Sequence, residues 1–380
     1  MNHGTGLARR STKIRPVATA AVTAACVIAL LAGCATASVG AAPDPVPATA
    51  TATATPAPVR PLQIIDSSCD RFVAVESLEA VAGSGLVAGA YAHVDPIATV
   101  QMPAAVGSAG GFSCSWSDAE TGAVRVSLTV VPDAVEADDR IIAEFAAQGG
   151  TTATPHERTL HTGCIYDYCE VEGFSGTTAV NLYIYDMPWD GSGTVDQPQL
   201  IALRDEISDH LGAVPPLEPL PALSAEWGNG PTSCDEMLAP EALAAALSVD
   251  AAAYDVGYAY EESNGWDVAL LTAGGFTCRY RGDGAFGGRI TVLPDTAAAL
   301  ATIPSGGELT TIDVPGADGA GLVRCWSNGE PFEAGTGLCT VHVPVRGAWV
   351  SVLSATSGTA AEPIRAEAAS VAAAIVIALG

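Results

Sequence analysis

Ala109-Gly110-Gly111-Phe112-Ser113-Cys114 recurs 164 residues later as Ala273-Gly274-Gly275-Phe276-Thr277-Cys278. Other landmarks keep step with it. Ser68-Cys69-Asp70 returns as Ser233-Cys234-Asp235 at an offset of 165, and Val131-Pro132-Asp133 as Leu293-Pro294-Asp295 at 162. Cys164 matches Cys325 at 161 and Cys169 matches Cys339 at 170. Offsets that drift while order is kept are what loop insertions produce in two copies of one domain. The copies span 62–213 and 232–380, a normal domain size, with a proline-rich linker at 214–231.

Read together, the copies predict one series of elements. A helix follows the first cysteine, with Phe72, Val75, Leu78 and Ala82 at helical spacing, and Met237, Leu243 and Leu247 in the second copy. The Gly-Gly-Phe-x-Cys stretch opens a strand. Val124, Val126, Leu128 and Val130 alternate with polar residues as a half-buried strand, repeated by Ile290 and Val292. Pro-Asp ends that strand and starts a short helix. After the later cysteines, Val180, Leu182 and Ile184 alternate, as do Val350 and Val352. A closing helix carries Leu200, Leu203, Ile207 and Leu211 in one copy and Ile364, Val371, Ile375 and Leu379 in the other. Val371 to Leu379 is too short to span a membrane. The expected fold class is α+β: two tandem copies of an antiparallel sheet covered by helices, each with two disulfides.

Of ten cysteines, Cys26 falls in the leader and Cys34 at its end, which leaves four per copy. Pairing within copies allows nine schemes. One scheme used twice joins Cys69 to Cys114 and Cys234 to Cys278, then Cys164 to Cys169 and Cys325 to Cys339. In the chain-entropy view a loop of some 45 residues contributes about 4 kcal/mol and a short one about 2–3 kcal/mol. Cys-x4-Cys with no recurring histidine fits zinc poorly, and the expected compartment is oxidising.

Residues 1–33 carry Arg9, Arg10, Lys13, Arg15 and no acid, followed by the apolar run Val17 to Leu31, and read as an export signal. Leu31-Ala32-Gly33-Cys34 resembles the lipobox of bacterial lipoproteins. That resemblance implies that Cys34 is diacylated and becomes the first residue of the mature chain, anchored to the outer face of the cell membrane. The segment 34–61, rich in Ala, Thr and Pro, reads as a tether. Beyond residue 33 the charge is 12 − 42 = −30 with no lysine. Such a surface repels phosphate backbones, so nucleic acid is excluded as a partner. Lysine-based covalent catalysis is excluded with it.

No Gly-x-Ser-x-Gly, Ser-x-x-Lys, His-Glu-x-x-His or EF-hand spacing is present. His93, His156, His161, His210 and His342 match no shared landmark, and Asp190-Gly191-Ser192-Gly193-Thr194 reads as a polar connection. Trp116 and Trp326 beside the cysteines, and Trp349 in the late strand of the second copy, read as core packing, with a stacking platform as the alternative. No catalytic residue, metal ligand or cofactor is assigned. The Ser-Cys-Asp helix start, the Gly-Gly-Phe-x-Cys strand and the later cysteine pair resemble cysteine-paired envelope lipoproteins of actinobacteria. They also resemble the extracellular sensor domains of some Ser/Thr kinases from those bacteria, which carry two disulfides around a groove. The resemblance implies a membrane-anchored, sensor-like module that binds an envelope ligand or protein. A secreted hydrolase with a site in the first copy, and a structural envelope protein, are the other classes the sequence leaves open.

Overall fold

A computed structural model describes residues 69–89, 98–147, 158–165, 168–185, 198–213, 222–255, 265–282, 287–303, 308–327, 337–356 and 361–380. Cys26, Cys34, the signal and tether, His93, His156 and segment 190–194 lie outside the described residues.

The first domain opens with helices α1 (Cys69–Phe72) and α2 (Val75–Ala82), then β1 (Leu86–Gly89) and α3 (Ala98–Ser108). Strands β2 (Phe112–Asp118) and β3 (Val124–Val131) lead to α4 (Val135–Ala147). Strands β4 (His161–Ile165), β5 (Tyr168–Ser175) and β6 (Thr178–Ile184) precede α5 (Pro198–Gly212). The strands form an antiparallel sheet in the order β1-β2-β3-β6-β5-β4.

In the second domain, α6 (Cys234–Met237) and α7 (Pro240–Leu247) precede β7 (Ala253–Asp255), α8 (Gly265–Thr272), β8 (Phe276–Arg281) and β9 (Gly287–Leu293). After α9 (Ala297–Leu300) come β10 (Leu309–Ile312), β11 (Gly321–Ser327), β12 (Gly337–Val345) and β13 (Ala348–Thr356). Helix α10 (Ala361–Leu379) closes the chain. Its sheet runs β7-β8-β9-β13-β12-β11-β10, which is the first sheet's order with β10 added at one edge. The expected α+β architecture is what the structure shows.

The recurring motifs have local physical reasons. Gly110 and Gly274 both sit at φ 77°, in the left-handed region where glycine is favoured, just beyond the ends of α3 and α8. The next amide reaches back five residues, Gly111 to the Val106 carbonyl and Gly275 to the Leu270 carbonyl, both at 2.8 Å. A Cβ on Gly111 would stand 2.0 Å from the Val130 carbonyl oxygen, and one on Gly275 2.5 Å from that of Val292. The motif is therefore a helix stop followed by a close approach to the neighbouring strand. Asp133 and Asp295, after the shared proline, also have positive φ, at 49° and 58°.

The helix expected after the first cysteine is broken in two. Ala74 is extended (φ −63°, ψ 133°) and its N–H donates to Glu206 Oε1 of α5 at 3.0 Å. In the second domain the break falls at Ala239, where the following Pro240 disfavours helical geometry. Each break lets the chain turn so that α1 and α2, or α6 and α7, both lay apolar side chains on the sheet.

One face of the first sheet, with Val126, Leu128, Val130, Val180 and Leu182, packs against Leu78 and the stripe Leu200, Leu203, Ile207 and Leu211. Full burial of each such side chain stabilises by about 1.5–3 kcal/mol. The second sheet does the same with Ile290, Val292, Val350 and Val352 against Leu243, Val371, Ile375 and Leu379. No described helix is long and apolar enough to cross a membrane. Leu223 and Trp227, within the stretch read as linker, pack into this second core, and Trp227 is buried.

The opposite faces of the sheets meet across a third cluster. It combines Ala105, Val106, Val131, Ile141, Phe174 and Ala179 of the first domain with Val268, Leu270, Leu293, Leu322 and Trp349 of the second. Helix α8 lies on β3 and β6 of the other domain. A Cβ at Gly265 would fall 2.9 Å from Asn181 Oδ1, so α8 needs glycine there to approach.

Candidate functional site

Alternation along each strand and the cross-strand register fix which residues share the inter-domain face. On the first sheet one row reads Ser113, Thr129, Asn181, Glu172, His161. The equivalent row on the second reads Thr277, Thr291, Ser351, His342, Leu322. Beyond it the first sheet carries Ser115, Ser127, Tyr183, Glu170 and Gly163, and the second Arg279, Arg289, Leu353, Thr340 and Arg324. The first sheet thus carries its charge as Glu170 and Glu172 on β5, and the second as arginines on β8, β9 and β11, at positions that do not correspond.

The inner rows are buried by the domain contact. Gln101 Nε2 on α3 donates to Ser351 Oγ at 3.0 Å. Ser351 Oγ lies 2.8 Å from His342 Nδ1, and Trp349 Nε1–H also points at that nitrogen, at 3.2 Å. Indole can only donate, so Nδ1 accepts and the ring is the Nε2–H tautomer. This chain of hydrogen bonds joins the domains and absorbs His342. A cavity of about 10 Å³, lined by Asp138, Phe174, Asn181 and Val268 among others, is the size of one water. The contact between the domains is packed there, with no room for a larger ligand.

Beyond the contact, the second sheet has a cleft of about 310 Å³ lined by Arg279, Tyr280, Arg281, Gly287, Gly288, Arg289, Leu353 and Ala355. Arg279 and Arg289 stand directly opposite each other on β8 and β9, with Arg281 two residues along the same face. Like charges directly opposite disfavour a sheet. Three of the twelve arginines that follow residue 33 sit together here. Small residues make the space. Where the second sheet has Leu353, Ala355 and Gly287, the first has Tyr183, Tyr185 and Arg125. On the reverse face Gly288 leaves room for the buried Tyr280, whose hydroxyl would meet a Cβ at 2.3 Å. Tyr280 hydrogen-bonds Ser354 Oγ and donates to the Leu353 carbonyl.

The first sheet has a different cluster, on β4 and β5, which correspond to β11 and β12 and not to the arginine-bearing β8 and β9. His161, Glu170 and Glu172 hold ligand-capable atoms within 4.8 Å of one another. His161 Nε2 is 3.5 Å from Glu172 Oε1, while Glu172 Oε2 accepts from Asn181 Nδ2 at 3.3 Å and Tyr183 Oη at 3.4 Å. Burial pushes the Tyr183 hydroxyl far above its usual range, and the charges of Glu172 and Glu170 push it further. Of His93, His156 and His161 in the first copy, His161 alone lies among the described residues. His210 Nδ1 meets the Phe72 carbonyl and ties α5 to α1. Trp116 and Trp349 are fully buried, which assigns both to packing rather than to a stacking platform. The Trp326 side chain lies outside the described residues.

All four cysteine pairs are formed as the repeated scheme expects: Cys69–Cys114, Cys164–Cys169, Cys234–Cys278 and Cys325–Cys339. Cys164 faces Cys169, and Cys325 faces Cys339, directly across adjacent strands. The candidate residues that motif reading missed are Glu170, Glu172, Arg279, Arg281 and Arg289. The Arg-x-Arg alternation on a strand next to a Gly-Gly pair was the available signal for the arginines. No protein-family model, curated protein or solved structure matches the chain.

Proposed function

We propose that this chain is a lipid-anchored, extracytoplasmic binding protein, built by internal duplication, whose second domain takes an anionic group in the arginine cleft. The cleft carries the reading. A chain of net charge −30 beyond residue 33 gathers three guanidinium groups around a space within the size range of small-ligand sites. Guanidinium pairs suit carboxylate and phosphate oxygens because they bind them in bidentate fashion. The shared strand order and cysteine pattern support duplication, after which small residues opened a cleft in one copy and tyrosines filled the other. The lipobox at Cys34 and the four disulfides support an anchored protein in an oxidising compartment.

The test is thermal unfolding of the full chain in detergent at constant ionic strength, with inorganic phosphate and citrate as probes. A bound anion at 100 times its Kd adds about 2.7 kcal/mol, which moves the midpoint by roughly 4 °C. The shift should vanish in Arg279→Ala/Arg289→Ala. Shifts no larger than chloride produces, or shifts that survive in the double variant, would refute the anion site.

A further inference from the structure

We propose that His161, Glu170 and Glu172 form a site for a divalent transition metal, with zinc the best match. This goes beyond the anion reading and does not depend on it. The donor set is one imidazole and two carboxylates on adjacent antiparallel strands, β4 and β5. Zinc takes such ligands at about 2.0–2.2 Å in a tetrahedron, which sets neighbouring donors about 3.3 Å apart. His161 Nε2 and Glu172 Oε1 are already 3.5 Å apart.

The oxygens of Glu172 are divided between two tasks. Oε2 accepts from Asn181 and Tyr183, which turns Oε1 toward His161. Outer partners that orient a ligand in this way are a regular part of metal sites. Glu172 is buried at 8% exposure and Glu170 lies two residues along the same strand face, so two carboxylates share one side of the sheet. A dication offsets both charges. The Cys164–Cys169 bridge joins the same two strands three residues from the His161–Glu172 pair, which fixes the donors' spacing before any metal arrives. His161 is more than a third exposed at its side chain, leaving an approach from solvent and a fourth position for water. The imidazole argues against calcium and magnesium, which prefer oxygen alone.

Isothermal titration of the full chain in detergent, stripped with chelator and titrated with zinc chloride at pH 7, tests the proposal. One zinc per chain is expected, with affinity at least tenfold weaker in His161→Ala and in Glu170→Gln. Circular dichroism and metal-free melting of these partly exposed variants should match the parent chain. Arg279→Ala/Arg289→Ala should bind zinc normally, which separates this site from the anion cleft. Absence of uptake, uptake that either ligand variant leaves unchanged, or equal affinity for calcium would overturn the assignment.

Discussion

On α10, Glu367 is carried into the second domain beside Ser354, and its Oε1 is buried with no hydrogen-bond partner among the described residues. Burial raises its pKa above the ordinary 4.5, and the Ser354 hydroxyl offsets only part of that. A carboxyl with a raised folded-state pKa binds its proton more tightly in the native state. Its stabilising contribution is therefore full below pH 4.5 and is lost as pH rises through the folded value. Glu367→Gln removes the charge but keeps the shape. The variant should melt higher than the parent at pH 7, and the gap should close as pH falls toward 4.5. A parent chain that melts higher at pH 7 would mean the carboxylate is paired after all.

The disulfides act between elements, and their two kinds should differ in strength. Cys69–Cys114 ties the start of α1 to β2 across 45 residues, while Cys164–Cys169 staples one hairpin across 5. Chain entropy gives about 4 kcal/mol for the long loop and about 2 kcal/mol for the short one. Replacing each pair by serines and unfolding in urea should reproduce that order; a hairpin bridge costing more than the long one would contradict it. These pairings were legible in the sequence because the landmarks repeat. The alternating strands and the α5 stripe were legible too, since period-2 and helical spacing depend only on near neighbours. Helices α3 and α8 escaped notice. Val268, Ala269 and Leu270 are three consecutive buried residues, because α8 is covered by both domains and shows no polar face to set a period. The candidate sites escaped for a related reason. His161 meets Glu172, and Arg279 meets Arg289, only through strand register, which no spacing along the chain encodes.

At the scale of the molecule, two domains of ordinary size do not behave as two independent bodies. Trp349, Leu293 and Leu322 of one sheet and Val131, Phe174 and Ala179 of the other are buried in a single cluster with α3 and α8. Gln101 and Ser351 add a hydrogen bond across the contact. Separating the halves would expose that apolar surface on both sides, and patches of this kind drive association. Each domain also keeps few large aromatic side chains in its own core, so the shared cluster is a large part of what either can bury. The described domains should therefore unfold together, giving one calorimetric transition whose enthalpy agrees with the van't Hoff value. Val268→Asp tests the cause. Val268 is 2% exposed and lines the small inter-domain cavity beside Phe174, Asn181 and the buried Asp138, so a carboxylate there loses water next to a second acid. A loss of roughly 3–5 kcal/mol is expected, the range for an uncompensated buried charge. If the parent chain instead melts in two separated steps, or Val268→Asp leaves the midpoint in place, the domains are stabilised one by one and the contact between them is incidental.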